Sequence, residues 1–154
     1  MIEIKDIPKE KINCIRNLWE KLNQLHYEDS VYFEDHYASF TFSWRIADFL
    51  QKDDNDLKIS IVVDGPRYLG YCISTIDGSH GEVDSIYLDD ELRGRGFGRR
   101  LIEEHTAWLK SRGCSRIRLA VSYGHEDSVR EFYHRIGFYE RLTYFELKDE
   151  AIDH

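Results

Sequence analysis

No apolar run in this 154-residue chain approaches the roughly 20 residues of a membrane-spanning helix. The opening MIEIKDIPKEK has no apolar core of the kind a secretory leader carries, so a cytoplasmic location is expected, with no membrane partner. Cysteine is scarce. Cys14, Cys72 and Cys114 stand far apart, with no C-x-x-C pair and no nearby histidine cluster. They read as reduced thiols, and no metal is expected. His26, His36, His80, His105, His125 and His134 contain no pair at metal-binding helical spacing either, and read as surface or packing residues. Positive charge is in deficit, with 21 Lys+Arg against 29 Asp+Glu and a formal net charge of -8. That balance argues against a nucleic-acid partner and mildly favours a cationic substrate.

Apolar and aromatic residues are plentiful at 42% and 14%, so the chain should fold, and its length is that of one domain with one main site. IEIKDI alternates like a half-buried strand. Pro8 then suits a first helical turn. A helix is expected from there to about His26, with Ile12, Ile15, Leu18, Trp19, Leu22 and Leu25 on one face. A second helix is expected over 36–52, with HYEDSVYFED as the loop between the two. LKISIVV and RYLGYCISTI flank Asp64-Gly65-Pro66 as a hairpin, and EVDSIYL follows as a third strand over 82–88. The pattern then alternates: helix 97–112, strand 116–121, helix 126–136 and strand 142–147. This order is that of a mixed α/β domain over 1–148, followed by a flexible tail at 149–154.

The acidic chain concentrates four arginines and three glycines in the eight residues 93–100. They stand between a strand and a helix with an apolar stripe of Leu101, His105, Trp108 and Leu109. A helix N-terminus has unpaired N–H donors and the positive end of the helix dipole, which attract phosphate. Glycine lets the backbone approach an anion closely, and arginine adds forked donors. The P-loop requires Lys followed by Ser or Thr after its last glycine, and none follows Gly98. The dinucleotide fingerprint has a different final glycine spacing. The bland alternative for these residues alone is a glycine-rich turn beside a solvated arginine face.

Arg93-x-x-Gly96-x-Gly98, preceded by VDSIYLDDEL and followed by an amphipathic helix, resembles the acyl-CoA pyrophosphate motif of the GNAT superfamily of N-acetyltransferases. SVREFYHRIGFYE, with Phe132, Tyr133, Gly137 and Phe138, is similar to the F-Y-x-x-x-G-F signature of that superfamily. The resemblance is strong over 82–139, rests on pattern alone in the preceding hairpin, and barely reaches the first half. It implies an antiparallel N-terminal meander, flanking helices, and central strands that splay apart to admit a thioester. It also implies that Ile86, Tyr87 and Leu88 line the pantetheine arm through their main chain. Behind Arg93, the N–H groups of Gly94, Arg95, Gly96, Phe97, Gly98 and Arg99 would hold the pyrophosphate of acetyl-CoA. Tyr133 matches the general acid that reprotonates the departing CoA thiolate. Where the family often has an asparagine, this chain reads YGHEDSV, with His125 or Glu126 at that place. His26, Tyr27, Glu28 and Asp29 fall where the resemblance places the acceptor entrance. Glu28 and Asp29 either attract a cationic amine or are simply solvated, and the aromatics Tyr32 and Phe33 beside Glu34 are equally open.

Acyl transfer to an amine needs donors for the oxyanion, a base for the ammonium and an acid for the thiolate. A main-chain N–H of Tyr87 or Leu88 is a candidate donor. Glu82 and Asp84 alternate with Val83 and share one strand face, which meets either the reaction centre or solvent. They are the candidate bases. Tyr133 shares an apolar stripe with Val129, Phe132 and Ile136, so packing competes with the acid role. The expectation is an acetyl-CoA-dependent N-acetyltransferase acting by direct transfer, without a metal, on a small-molecule amine. Its rivals are a non-catalytic acyl-CoA sensor and a protein or peptide N-acetyltransferase. The resemblance also leaves a homodimer open.

Overall fold

The computed structural model describes residues 1–148; the expected tail at 149–154 lies outside the described residues. Strand β1 (Ile2–Ile7) is followed by Pro8, and Lys11 N–H donates to Pro8 O at 3.0 Å. That three-residue spacing makes Lys9–Ile15 a 3-10 helix. Helix α1 proper is Arg16–Asp29, so it starts later and ends later than the periodicity suggested. The expected single helix over 36–52 is two, α2 (Glu34–Ser39) and α3 (Phe42–Gln51). The break has a local cause. Thr41 is extended, and its hydroxyl accepts the Trp44 N–H at 3.1 Å, capping a new helix instead of continuing the old one.

Strands β2 (Leu57–Asp64), β3 (Arg67–Asp77) and β4 (His80–Leu88) form an antiparallel meander with β1. Helix α4 (Phe97–Ser111) carries the chain to β5 (Arg116–Leu119), which pairs parallel to β4, giving the order β1-β2-β3-β4-β5. Helix α5 (Glu126–Arg135) follows. Alternate strand residues enter two apolar layers. One face of the sheet packs Ile59, Ile61, Tyr71 and Ile73 against α1 and α3. The other packs Val62, Cys72, Ile76 and Val83 against α4, with Phe132, Tyr133 and Ile136 of α5 at its margin.

Two irregularities coincide in β4. Ile73 pairs with Ser85 but Ser74 pairs with Val83, so Asp84 is an extra residue opposite no partner, a β-bulge. Pairing with β5 ends at Val83↔Leu119, one residue before that bulge, while β4 continues to Leu88. The two central strands therefore part at Asp84. Strand β5 also stops two residues short of the expected 121.

The expected strand at 142–147 does not form. Leu142, Tyr144, Phe145 and Leu147 are 71–96% exposed. A strand needs a neighbour to pair with, and β-propensity without one does not hold it. No described helix is long and apolar enough to cross a membrane.

Candidate active site

The glycine-arginine stretch folds as a helix head. Gly96, at φ 83°, is the N-cap of α4, a left-handed conformation that glycine adopts without a Cβ penalty. Arg100 N–H is the first to bond back into the helix, to Gly96 O at 3.0 Å. The N–H groups of Phe97, Gly98 and Arg99 precede it and face outward as a helix start requires. Gly98 serves a different need. A Cβ there would lie 3.1 Å from Leu88 Cδ1 and 3.2 Å from Phe132 Cζ, so its absence lets α4, the end of β4 and α5 meet. These residues fit an anion of pyrophosphate type. The arginine side chains are engaged elsewhere: Arg93 with Asp90 at 3.0 Å, Arg99 with Glu103 and Arg100 with Glu104 at 3.3 Å each. Arg95 stands over the Phe97 ring at 5.9 Å. Exposed pairs of this kind are worth about 0–1 kcal/mol, so an incoming anion displaces them at little cost.

Asp84 occupies the point of divergence. Thr75 Oγ1 donates to its carboxylate at 2.6 Å and Arg45 Nη2 to its carbonyl at 3.0 Å. Burial pushes its carboxyl up to about 6, with the Thr75 hydrogen bond opposing and the Glu82 charge adding to the rise. Glu82 shares the face but accepts from Arg118 Nε at 3.2 Å. The face does not simply meet solvent. It lines a cavity of about 240 Å³ roofed by Arg45 and Lys52 from the α3 region. A second cavity of about 510 Å³ lies farther along β4, between Tyr87 and Arg93 on one side and Asn17, Glu20 and Gln24 of α1 on the other.

Tyr133 packs beside Phe132 (ring centroids 5.2 Å) and Phe138 (6.3 Å). Burial, then the neighbouring Cys72 thiol, push its phenol up to about 12. Full proton transfer to a thiolate whose thiol has a pKa of about 8.5 is then uphill by roughly 5 kcal/mol, against roughly 2 kcal/mol at reference values. The environment makes Tyr133 a hydrogen-bond donor first and a proton donor only in concert with bond cleavage.

His125 and Glu126 are both engaged by neighbours. His125 Nδ1 lies 2.7 Å from Asp29 Oδ2, and Glu126 Oε1 accepts the Gly124 N–H at 2.9 Å. Around them the structure assembles a group that spacing did not reveal. The His26 ring stands 5.5 Å from His125 and 5.6 Å from Tyr37, and the Tyr37 hydroxyl is 2.7 Å from Ser122 Oγ. Burial, then the nearby His125, hold His26 down at about 4. Among the described residues its buried Nδ1 has no hydrogen-bond partner. The group ties the end of α1 and α2 to the loop between β5 and α5, and Asp29 is a member of that tie rather than a free surface acid. His105 is likewise no surface residue: it is fully buried, with Nδ1 2.7 Å from Ser74 Oγ and Nε2 2.9 Å from Ser60 Oγ. Among the described residues no group of three or more His, Cys, Asp or Glu side chains is placed to hold a metal.

The chain matches an uncharacterized N-acetyltransferase of Methanocaldococcus jannaschii with 26% identity over 143 residues, 90% of this chain and 61% of that protein. It thus spans about three fifths of that curated relative's length. Solved structures share the fold. A tetramutant of the BH1408 protein of Bacillus halodurans superposes with a TM-score of 0.70 at 17% identity, over 95% of this chain and 99% of the other. The aminoglycoside acetyltransferase AAC(6')-Iy, in complex with the bisubstrate analogue CoA-S-monomethyl-acetylneamine, gives 0.67 at 18% identity, over 97% and 99%. The family model described as acetyltransferase (GNAT) matches residues 19–138. On that match, which takes in the helix head, the bulged strand and α5 together, the chain belongs to the GNAT acetyltransferase family.

Proposed function

We propose that this protein moves an acetyl group from acetyl-CoA directly to a primary amine of a small molecule. One observation carries the reading: the central strands part at the bulged Asp84. It is supported by the glycine-headed start of α4 and by Tyr133 of α5, which packs on the layer that holds Cys72 and Val83. A solved GNAT-fold neighbour that holds a CoA-based bisubstrate analogue supports acetyl-CoA as the donor.

In this reading the main chain of Ile86, Tyr87 and Leu88 lines the pantetheine arm, and Arg93 with the N–H groups of Gly94, Gly96, Phe97, Gly98 and Arg99 holds the pyrophosphate; the Arg95 N–H, expected among them, donates instead to Leu92 O at 3.3 Å. Asp84 takes the proton of the acceptor ammonium, directly or through one water, and a carboxyl near 6 is ionised at neutral pH and matched to that task. Glu82, engaged by Arg118, is the weaker candidate for the same role. The free amine forms its C–N bond to the thioester carbonyl carbon while a main-chain N–H of Tyr87 or Leu88 donates to the oxyanion. As the C–S bond breaks, the Tyr133 hydroxyl hydrogen-bonds the sulfur and supplies its proton, the nitrogen of the new C–N bond sheds its second proton to restore the Tyr133 phenol, and CoA leaves as the thiol. Assembly as a homodimer belongs to the same proposal, supported by the exposed apolar residues at 142–147, and sedimentation velocity tests it.

Isotopically labelled acetyl-CoA incubated with the protein and a cell extract should place label in a discrete small molecule, read by mass spectrometry. Label in protein N-termini or lysines would redirect the acceptor to peptides. Tyr133→Phe should lower kcat by about 10- to 100-fold with acetyl-CoA affinity unchanged. A second reading, a non-catalytic acyl-CoA sensor, is favoured by His125, which is bound to Asp29 where the family often places an asparagine. Tight acetyl-CoA binding without transfer by either form would establish that reading.

A further inference from the structure

The face of β4 that carries the candidate base also carries cations whose presence the acyl-transfer chemistry does not explain. Arg45 and Lys52, from α3 and its C-terminal cap, stand over the 240 Å³ cavity, and both are only part-buried. Each donates to a main-chain carbonyl, Arg45 Nη2 to Asp84 O at 3.0 Å and Lys52 Nζ to Ile76 O at 2.9 Å. Among the described residues neither has a carboxylate within ion-pair distance. Arg118, in the same lining, differs: it sits against Glu82 at 3.2 Å. The Arg45 guanidinium is further held over the Phe49 ring, 4.6 Å from its centroid. Two partly desolvated cations held in place by neutral carbonyls form a preorganised seat for an anion. The carboxylates of Asp84 and Glu82 lie in the same cavity and form the complementary seat for an ammonium.

We infer that the acceptor is a zwitterion of the α-amino-acid class, its carboxylate received by Arg45 and Lys52 and its amine turned to Asp84 at the parting of β4 and β5. The inference rests on the acyl-transfer reading above and names its substrate class. Cavity size agrees: about 240 Å³ lies below the roughly 300–1,000 Å³ that encloses drug-sized ligands, and suits a small amino acid better than an oligosaccharide. Neutral Thr75 holds one oxygen of the Asp84 carboxylate at 2.6 Å, and Asp84 lines the cavity. The net charge of the lining follows the same logic. Of the lining cations Arg118 is paired to Glu82, while Arg45 and Lys52, held by carbonyls, stand in a lining that also carries Asp48, Asp77 and Asp84, so the cavity offers separate seats for both charges of a zwitterion.

Paired probes that differ only in the carboxylate test it: L-alanine against L-alaninamide, and L-lysine against 1,5-diaminopentane, each with acetyl-CoA. The carboxylate-bearing member of each pair should show at least tenfold higher kcat/KM, expressed mainly in KM. Lys52→Met should bring the two members of a pair within about twofold of each other, and Lys52→Arg should retain the preference, which a purely structural loss would not do. Equal or better use of alaninamide and diaminopentane by the parent protein overturns the proposal. If no amine is acetylated although acetyl-CoA binds, the transfer reading itself falls. Calorimetric titration of the CoA-loaded protein then decides the subsite alone: binding of alanine over alaninamide, lost in Lys52→Met, supports it, and equal or no binding overturns it.

Discussion

Asp84, the proposed base, would couple function to stability. Its carboxyl titrates near 6 in the folded protein against an ordinary 3.8, because burial disfavours the anion. A raised carboxyl pKa means that the folded chain holds the proton more tightly than the unfolded chain. Stability contributed by this group therefore grows as pH falls from above 6 toward 4, and at neutral pH the ionised form costs up to about 3 kcal/mol. Asp84→Asn should consequently raise Tm at pH 7.5, by roughly 5 °C. The same variant should lower kcat by on the order of 10²- to 10⁴-fold and abolish the rise in rate through about pH 6. Calorimetry and a pH–rate profile check both halves, and a variant that loses neither rate nor pH dependence would remove Asp84 from the chemistry. The sequence placed Asp84 and Glu82 on one face. It could not rank them, because the ranking comes from Thr75 and Arg118, which lie on other strands.

At the scale of elements, α4 is the part that must hold still, since its head presents the N–H donors. Gly98 is where it meets β4 and α5, and Gly98→Val would drive a branched side chain into Leu88 and Phe132. The expected result is a loss of acetyl-CoA affinity of more than tenfold by calorimetry, with far-UV circular dichroism retained. Farther along α4, His105 bridges Ser74 on β3 and Ser60 on β2, and Ser60 in turn donates to Asp6 of β1 at 2.6 Å. Burial, then the Lys58 charge, hold His105 down at about 3, so it stays neutral. A depressed histidine pKa gives stability that is complete above about 6.5 and is lost as pH falls from there toward 3, because the unfolded chain takes up the proton first. His105→Leu should cost roughly 2 kcal/mol by leaving the Ser74 hydroxyl buried without its partner, and should flatten the acid limb of the stability–pH curve in urea titrations. Helical periodicity assigned His105 to the apolar stripe of α4. The serines that make a buried histidine tolerable come from strands 31 and 45 positions away in the chain.

Over the whole molecule, one sheet separates two apolar layers, with Trp19 in one and Trp108 against the other. Both layers share the strands between them, so the two halves should unfold together: fluorescence of Trp19→Phe and Trp108→Phe variants and far-UV circular dichroism should give coincident urea transitions. Separate midpoints would show that the layers melt independently. What the sequence determined by itself is local. The glycines and arginines at 93–100, the F-Y pair of α5 and the order of strands and helices from 82 to 136 depend on residues a few positions apart, where backbone propensity and side-chain period act directly. The tertiary structure decided what depends on distance along the chain. It set Asp84 in a bulge at the parting of two strands, brought Arg45 and Lys52 over it from the first third of the chain, and joined His125 to Asp29 across 96 positions. Among the described residues it also left 142–147 without a partner strand, where propensity alone had suggested a strand. Period and propensity describe what a segment is able to form; pairing, burial and desolvation are properties of the neighbours it finally meets.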